Sequence, residues 1–372
     1  MAPYLFFLFW FFGLIFFWKV PYPRRSCRSN EAPLRISIII PARNEEKNLG
    51  RLLQSLKDQP LKAHEIIVVD DHSEDSTAEI GRKAGCIVIS SKDLPEGWTG
   101  KPWVCWQGAH QATGDIFVFL DADTFLESDG LSRIFSTYLE HGGLLSIQPF
   151  HRMEKIYERL SAIFNIAIMA GMNSFTLWGS RRKPSGAFGP CMVCSREDYF
   201  AVGGHEKVRR EILESIPFGR EFLKAGRELR CYGGKGTISF RMYPEGLRSL
   251  IEGFGKGFGT GASATSLVVL FMMVCWITGG LAITRHLLQA AFWTDPVALG
   301  VWVTLDIFYI LQIHWMLRRI GNFGFYTPLF FQVPVLFFVI LFFSSLLRIF
   351  VVRRVRWKGR MIRTGEGNEN QS

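Results

Sequence analysis

The hydrophobic and polar positions divide the chain into an apolar N-terminal run, a mixed middle region and an apolar C-terminal third. Residues 3–18 carry no charge, and Lys19 follows them. At about 1.5 Å per helical residue, this run is just long enough to cross a hydrocarbon layer of about 30 Å. A cleaved signal peptide would need a basic start and a small-residue cleavage site, which the run lacks. We therefore predict a transmembrane anchor over 3–19.

Between 34 and 245, short β-branched runs alternate with stretches of helical periodicity. The pattern predicts strands over 36–40, 65–70, 86–90 and 115–121, and helices over 45–57, 75–84 and 103–112. Apolar strands joined through helices are typical of βαβ units, whose parallel sheet is buried on both faces. The region 34–245 is therefore predicted to be one α/β domain.

Apolar runs return beyond 246 and predict a C-terminal transmembrane region over 264–347. The three runs cover about 264–284, 297–317 and 327–347. Asp306 interrupts the second run, and Arg285 with His286 lies where the first two meet. The number of complete crossings therefore stays open: three, or two with one half-inserted segment near 264–317.

Three further segments are expected near the membrane surface. An interfacial segment is predicted over 246–262 and a basic tail over 348–372. The uncharged run 160–178 would split the α/β domain if it crossed the membrane. We expect instead a helix that lies at the interface or covers an acceptor groove.

Composition and charge support this division. The chain is 48% hydrophobic and 20% charged, which excludes a disordered protein. The net charge of +10 is concentrated in two clusters, over 19–35 and over 348–372. Basic clusters beside apolar runs mark the cytoplasmic side of membrane proteins. We therefore expect a multi-pass protein of the cell membrane whose α/β domain faces the cytoplasm, with no nucleic-acid partner. Three C-terminal crossings would place the basic tail outside, against this tendency.

Acidic residues directly follow two of the predicted strands. Asp70 and Asp71 come at the end of the second strand, and Asp121 and Asp123 at the end of the fourth. In open α/β sheets, ligands bind at the carboxyl ends of the strands. Carboxylates there can hold a hard cation such as Mg²⁺ or Mn²⁺ together with substrate phosphate oxygens. The alternative after the second strand is capping of the following helix by Ser73, Asp75 or Ser76, and after the fourth strand it is a solvated acidic turn.

Three motifs carry a resemblance to a known family: ISIIIPARNEE over 36–46, VVDDHSEDST over 68–77 and DIFVFLDAD over 115–123. Their order and spacing resemble glycosyltransferase family 2, and the similarity extends over 36–245. It implies an α/β, Rossmann-like domain of the nucleotide-diphospho-sugar transferase (GT-A type) fold, here between N-terminal and C-terminal transmembrane helices. The stretch LPEGWTGKPW over 94–103 is similar to a membrane-bound subgroup that glycosylates terpenoid lipids.

The resemblance implies roles for individual residues. The nucleotide-sugar pocket would be lined by Pro41, Ala42, Arg43, Glu45, Asp71, Lys101 and Asp121. Asp71 would contact the uracil, Glu45 the ribose and Lys101 the donor phosphates. Asp123 would be the direct ligand of Mg²⁺ or Mn²⁺, and Asp121, which holds the sugar or ribose, would be the second. Gly186–Gly189 would form the acceptor-side wall.

The expected catalytic base departs from the family pattern. The family has a Glu-Asp pair where this chain has Glu214 and Ser215. We expect Glu214 to be the base, with Glu211 behind it. A carboxylic acid acceptor, with a pKa of roughly 4 to 5, is already ionised near neutral pH. Such an acceptor would depend less on a base than a hydroxyl acceptor does.

The resemblance therefore implies a membrane-bound, inverting hexosyltransferase. Its donor is expected to be UDP-glucose and its lipophilic acceptor a carotenoid acid such as 4,4'-diaponeurosporenoate, which would give a glycosyl ester. An enzyme that acts on a hopanoid or polyprenyl lipid is the alternative. A non-catalytic, nucleotide-sugar-binding membrane scaffold is an alternative of a different class. A processive polysaccharide synthase is disfavoured because 245–257 lacks the QxxRW signature.

Overall fold

A seven-stranded sheet organises the region between 34 and 245. The computed structural model describes residues 3–25, 34–211, 213–254, 265–293, 295–352, 354–357 and 360–363. The strands of the sheet are β1 Ile36–Ala42, β2 Glu65–Asp70, β3 Ile87–Ser90, β4 Ile116–Leu120, β6 Leu144–Gln148, β8 Cys191–Ser195 and β9 Leu229–Gly233. Their order across the sheet is β3-β2-β1-β4-β8-β6-β9. A smaller sheet contains β5 Thr124–Leu126, β7 Phe150–His151 and β10 Ile238–Phe240.

The four strands predicted from the sequence form the parallel half of the sheet. β1 pairs in parallel with β2 and β4, and β2 pairs in parallel with β3. The other half is mixed, because β8 runs antiparallel to both β4 and β6. The expected all-parallel sheet is therefore wrong beyond β4. β8 enters after a long excursion over 152–190, so the short helical crossover that makes neighbouring strands parallel does not constrain it.

Helices cover both faces of the sheet. They are α2 Leu49–Lys57, α3 Thr77–Lys83, α4 Gly100–Gln111, α5 Gly130–His141, α7 Arg196–Ala201 and α8 Ser215–Lys224. Successive residues of a strand point to opposite faces. Ile38 and Ile40 of β1 therefore pack on the side of α2 and α5, while Ile39 packs on the side of α4 and α8.

Apolar helices from both ends of the chain form a bundle. They are α1 Pro3–Phe16, α10 Leu267–Phe292, α11 Pro296–Ile320, α12 Tyr326–Leu329 and α13 Gln332–Val352. α1 packs against α10 and α11 along its length. Phe6 contacts Trp302 with 5.4 Å between ring centroids, and Phe16 contacts Trp276 at 5.6 Å. By length and composition, two helices in the described part of the chain, α10 and α11, could span a membrane.

The uncharged run 160–178 forms one buried helix, α6 Ala162–Gly171, between the sheet domain and the bundle. Phe164 on this helix contacts Phe254 and Phe338, at 4.3 and 4.9 Å between ring centroids. Phe254 lies in the helical residues 247–254, which we call α9. The rest of the predicted interfacial segment, 255–262, lies outside the described residues.

The last apolar run does not pass through the bundle. Asn322 lies against the sheet domain, where its side chain accepts from the Met153 N–H at 2.6 Å. Ten residues later, the Gln332 amide donates to Thr284 at 3.1 Å, well along α10. α13 then packs against α6 and the 3₁₀ helix Ile156–Ser161, so the chain has turned back toward the sheet domain. Residues 321–352 therefore form a hairpin with both ends beside the sheet domain.

The basic tail is described only in part. Its described residues form an antiparallel pair, β11 Arg354–Trp357 and β12 Arg360–Arg363. β11 follows α13 and packs against it. The rest of the predicted tail, Arg353, 358–359 and 364–372, lies outside the described residues.

Candidate active site

The carboxyl ends of β1, β2 and β4 meet at one edge of the sheet. Because these strands are parallel neighbours, the loops that follow Ala42, Asp70 and Leu120 lie side by side. The Asp71 N–H donates to the carbonyl of Ala42 at 2.8 Å, which joins the first two loops directly. The residues predicted from three separate motifs are thereby brought into one place.

An ion pair fixes the nucleotide-side wall. Arg43 Nη1 lies 3.3 Å from Asp71 Oδ2 and donates to the Asp71 carbonyl at 3.2 Å. Both side chains are largely buried, with 15% and 8% of their surfaces exposed. Glu45, which lines the same cavity, accepts from the Asn48 amide at 2.8 Å. A partly buried pair of this kind holds its side chains in one orientation, as a binding wall requires.

The rest of the acidic loop after β2 has a structural role. Asp75 accepts from the Thr77 N–H at 3.0 Å at the start of α3, and from the Glu46 N–H at 3.1 Å. Asn44, with φ of 53°, accepts from the Glu74 N–H at 2.9 Å. The capping alternative therefore holds for Asp75, and it leaves Asp71 to face the cavity.

Lys101 lies at the centre of the site. Its Nζ is 2.6 Å from Asp121 Oδ1 and 3.2 Å from Glu214 Oε1. Burial alone would lower the pKa of Lys101, but the charges of Asp121 and Glu214 outweigh burial and raise it above its ordinary value. The ammonium is therefore permanently charged and joins residues from the ends of β4 and the start of α8.

Asp121 and Asp123, which follow β4, line the same cavity. Among the described residues, no cluster of three or more His, Cys, Asp or Glu side chains could hold a metal ion. The donor set is thus two carboxylates, all oxygen. This set fits a hard divalent ion such as Mg²⁺ or Mn²⁺, which is commonly bound through one or two carboxylates and completed by substrate phosphates.

The two glutamates considered for the base are in different environments. Glu214 is 5% exposed, directly precedes α8 and lines the cavity. Glu211 is exposed, and it is not among the residues that line the cavity. Ser215 lines the cavity next to Glu214, opposite Gly189. A methyl group on Gly189 would lie 3.4 Å from both the Ser215 hydroxyl and the Lys101 ammonium.

A single cavity of about 780 Å³ extends from these charged residues into the bundle. Its charged end, which we call the donor end, includes the Arg43–Asp71 pair, Asp123 and the Lys101 cluster. Its other end, the acceptor end, lies between α6, α10 and α13 and is mainly apolar, with Thr265 and Thr278 as polar exceptions. The apolar side chains there are Ala167, Ile168, Met172, Leu270, Met273, Val274, Ile277, Leu281, Phe338, Val339, Phe342 and Phe343. Leu270 and Leu281 are eleven residues apart on α10, so the acceptor end extends about 16 Å along that helix.

Comparisons with known proteins identify the family. The model of the family described as Glycosyl transferase family 2 matches residues 37–213. The 4,4'-diaponeurosporenoate glycosyltransferase of Staphylococcus aureus (strain MRSA252) is 36% identical over 329 residues, 87% of each chain. The chain belongs to glycosyltransferase family 2. Another family 2 relative, the 4,4'-diaponeurosporenoate glycosyltransferase of Staphylococcus haemolyticus, is 35% identical over 90% of each chain.

A solved structure supports the fold. A mannosyltransferase from Pyrobaculum calidifontis, in complex with GDP-Man and Mn²⁺, superposes with a TM-score of 0.50 at 14% identity. The superposition covers 85% of this chain and 93% of that one. The predicted family and its GT-A type fold are confirmed, and this family 2 protein is a glycosyltransferase. The roles of its individual site residues stay predictions.

Two groups of site residues escaped the sequence analysis of this family 2 chain. The apolar wall was visible only as uncharged runs, which do not tell which side chains face a cavity. Tyr243 lines the cavity with φ of 57°, a conformation that bulky residues rarely adopt. Burial, together with the charge of Asp123, raises the pKa of the Tyr243 hydroxyl. Tyr243 also contacts Phe254 at 5.4 Å, so it lies where the two ends of the cavity meet.

Proposed function

We propose that this enzyme transfers glucose from UDP-glucose to the carboxylate of a terpenoid acid of the carotenoid class, such as 4,4'-diaponeurosporenoate, forming a glycosyl ester. One observation carries the proposal: the charged donor end and the apolar acceptor end belong to one cavity. A water-soluble acceptor would not need a wall of aliphatic and aromatic side chains, which here extends about 16 Å along α10. The names of the two staphylococcal relatives support this acceptor class.

The donor end provides contacts for each part of a nucleoside diphosphate sugar. The Arg43–Asp71 pair would hold the base, and Glu45 would lie near the ribose. Lys101 carries the positive charge that the diphosphate needs, and Asp121 would orient the sugar. Asp123 and Asp121 would hold a divalent cation, which when bound neutralises charge that develops on the departing diphosphate. The Mn²⁺ in the mannosyltransferase complex supports this assignment only by analogy of fold.

The acceptor carboxylate would react at the junction of the two ends. One of its oxygens forms a bond to the anomeric carbon while the bond from that carbon to the diphosphate breaks, which inverts the configuration. No proton has to leave the acceptor, because a carboxylic acid with a pKa of roughly 4 to 5 is ionised near neutral pH. Lys101 and the Ser215 hydroxyl face this junction around Gly189 and would orient the carboxylate.

The same geometry supports an orientation in the membrane. We propose that α1, α10 and α11 cross the bilayer and that the hairpin 321–352 enters and leaves on the side of the α/β domain. Arg24, Arg25, Arg318 and Arg319 then lie on that side together with the basic tail, as the positive-inside tendency requires. This arrangement also removes the disagreement between three crossings and the position of the tail. The half-inserted segment is then 321–352, rather than one near 264–317.

Protease accessibility tests this orientation. An epitope tag placed after Ser372 should be cleaved in inverted membrane vesicles, in which the cytoplasmic face is exposed, and protected in right-side-out vesicles. A tag placed before Pro3 should show the opposite behaviour. A C-terminal tag that is cleaved only in right-side-out vesicles would contradict the re-entrant hairpin.

A transfer assay tests the function. The purified full-length enzyme in lipid nanodiscs should convert UDP-glucose and a carotenoid acid to an alkali-labile glucosyl ester, with Mn²⁺ or Mg²⁺ present. The matched alcohol of the same carotenoid, a hopanoid alcohol and a polyprenol should react at least about a hundredfold more slowly. Faster transfer to any of these alcohols would favour the alternative acceptors. Binding of UDP-glucose without transfer to any acceptor would favour the scaffold.

A further inference from the structure

The loop that joins α6 to β8 carries a basic and aromatic surface, which we call the interfacial loop, residues 177–183. Leu177 and Trp178 are 49% and 38% exposed, although both are large and apolar. The three cations that follow, Arg181, Arg182 and Lys183, are also exposed. The Arg182 guanidinium lies 4.6 Å above the centre of the Trp178 ring. Tryptophan with arginine and lysine is typical of the boundary between lipid tails and headgroups.

Backbone hydrogen bonds attach the interfacial loop to the end of α1. The Leu177 N–H donates to the carbonyl of Ile15 at 2.8 Å. The Trp18 N–H donates to the carbonyl of Phe175 at 2.7 Å. The loop therefore lies at the level where α1 leaves the bundle and enters the α/β domain. Trp18, 48% exposed, and the exposed Lys19 extend the same surface.

Ion pairs among the described residues do not balance the positive charge of this surface. The sequence contains no Asp or Glu from Arg159 to Arg196, and none over 3–25. Among the described residues, no ion pair involves Lys19 or the three cations of the loop. Four adjacent cations without acidic neighbours match the charge of an anionic membrane surface.

We propose that the interfacial loop binds the headgroups of anionic lipids in the leaflet next to the α/β domain. Leu177 and Trp178 would enter the boundary of the lipid tails, while the three cations contact the headgroup phosphates. The loop connects two residues that line the cavity, since Met172 of the acceptor end precedes it and Phe188 follows it. The Ser185 N–H donates to the Met172 carbonyl at 2.9 Å, which closes the loop at its base. Headgroup binding therefore keeps the acceptor end at a fixed depth relative to the leaflet from which a lipid acceptor enters.

Lipid retention tests the binding directly and does not depend on catalysis. Full-length enzyme would be extracted in detergent with equal amounts of phosphatidylglycerol and phosphatidylcholine, and bound lipid counted by native mass spectrometry. Each cation near an anionic surface changes the affinity about fivefold. The variant R181E/R182E/K183E should therefore lose its preference for phosphatidylglycerol, while wild type retains it. The matched control K47E/K57E/R82E makes the same charge change on exposed residues of α2, α3 and the loop before α2 and should behave as wild type.

Equal phosphatidylglycerol retention by wild type and R181E/R182E/K183E would overturn the proposal. A loss of retention in the control as well would overturn it too, because net charge alone would then explain the effect. A second measurement rests on the proposed function: phosphatidylglycerol should lower the KM for the membrane acceptor severalfold in wild type but not in the loop variant. If no acceptor reacts, the proposed function fails while the retention result still decides the lipid site.

Discussion

In the proposed function, the two ends of the cavity recognise their ligands by different physical means. At the donor end, ion pairs such as Arg43–Asp71 and Lys101–Asp121 fix charged side chains in single orientations. The acceptor end offers mainly aliphatic and aromatic surface from α6, α10 and α13. Polar groups that are fixed in place reject a wrong ligand strongly, whereas an apolar pocket discriminates weakly between lipids of similar size. The enzyme should therefore be strict toward its donor and tolerant toward the lipid chain of its acceptor.

The largest effect is expected at the donor end. D123N removes one of the two carboxylates that would hold the divalent cation, and it should lower kcat by about 10³-fold or more with every acceptor. The thermal unfolding temperature and the binding of the acceptor should change little, because Asp123 is not one of the apolar side chains that form the acceptor end. Initial rates at saturating Mn²⁺ measure the effect. A variant that keeps more than about a tenth of the wild-type rate would show that transfer does not depend on the Asp123 carboxylate.

The donor end could be predicted from the sequence because its residues lie in short local motifs. A strand followed by Asp71, or by Asp121 and Asp123, has one structural outcome: the carboxylates reach the carboxyl edge of the sheet. The acceptor end is assembled from α6, α10 and α13, which are up to about 170 residues apart in the chain. Uniformly apolar helices carry no pattern that distinguishes a cavity face from a lipid face. For the same reason, the sequence pattern did not show that α13 turns back toward the sheet domain.

A substitution of Glu214, at the junction between the two ends, should affect acid acceptors and alcohol acceptors differently. E214Q removes the candidate base but leaves Lys101 paired with Asp121. Transfer to a carotenoid acid should fall no more than about tenfold, because its carboxylate needs no base, whereas any transfer to the matched alcohol should fall about 10³-fold. The kcat with each acceptor is the measurement. A collapse of 10³-fold on the acid would mean that Glu214 does more than take a proton.

A polar substitution in the apolar wall should affect only the acceptor. I277N places an amide among the side chains of the acceptor end, and the cost of desolvating it should raise the acceptor KM about tenfold or more. The affinity for UDP, measured by calorimetry, should stay unchanged. L288N is the matched control, since Leu288 is on the same helix, 67% exposed and not part of the cavity wall. Equal effects of the two variants would indicate general damage to the bundle.

The smallest effect concerns the stability of the α/β domain at low pH. Burial lowers the pKa of His205 and of His151 to about 3, from about 6.5 when unfolded. Below pH 6.5 the unfolded chain binds protons that the folded chain does not, so stability falls as the pH drops toward 3. At pH 5 the loss is about 2 kcal/mol per histidine.

Thermal unfolding across pH 7.5 to 5 measures this effect. H205Q cannot titrate and keeps a polar partner for Tyr199, whose hydroxyl lies 2.9 Å from His205 Nδ1. The variant should lose less stability than wild type as the pH falls. H64Q, at an exposed histidine, should follow wild type. If H205Q and wild type showed the same pH dependence, protonation of His205 would not account for the loss of stability at low pH.

Photocrosslinking tests most directly whether one cavity holds both substrates. A terpenoid acid with a diazirine about ten carbons from its carboxyl group would be irradiated with the enzyme in nanodiscs, with UDP and Mn²⁺ present. We predict labelling of peptides that contain 270–281 and 338–343, and displacement of the label by unlabelled acid. Labelling spread over the lipid-facing sides of α1 and α11, without displacement, would contradict the account.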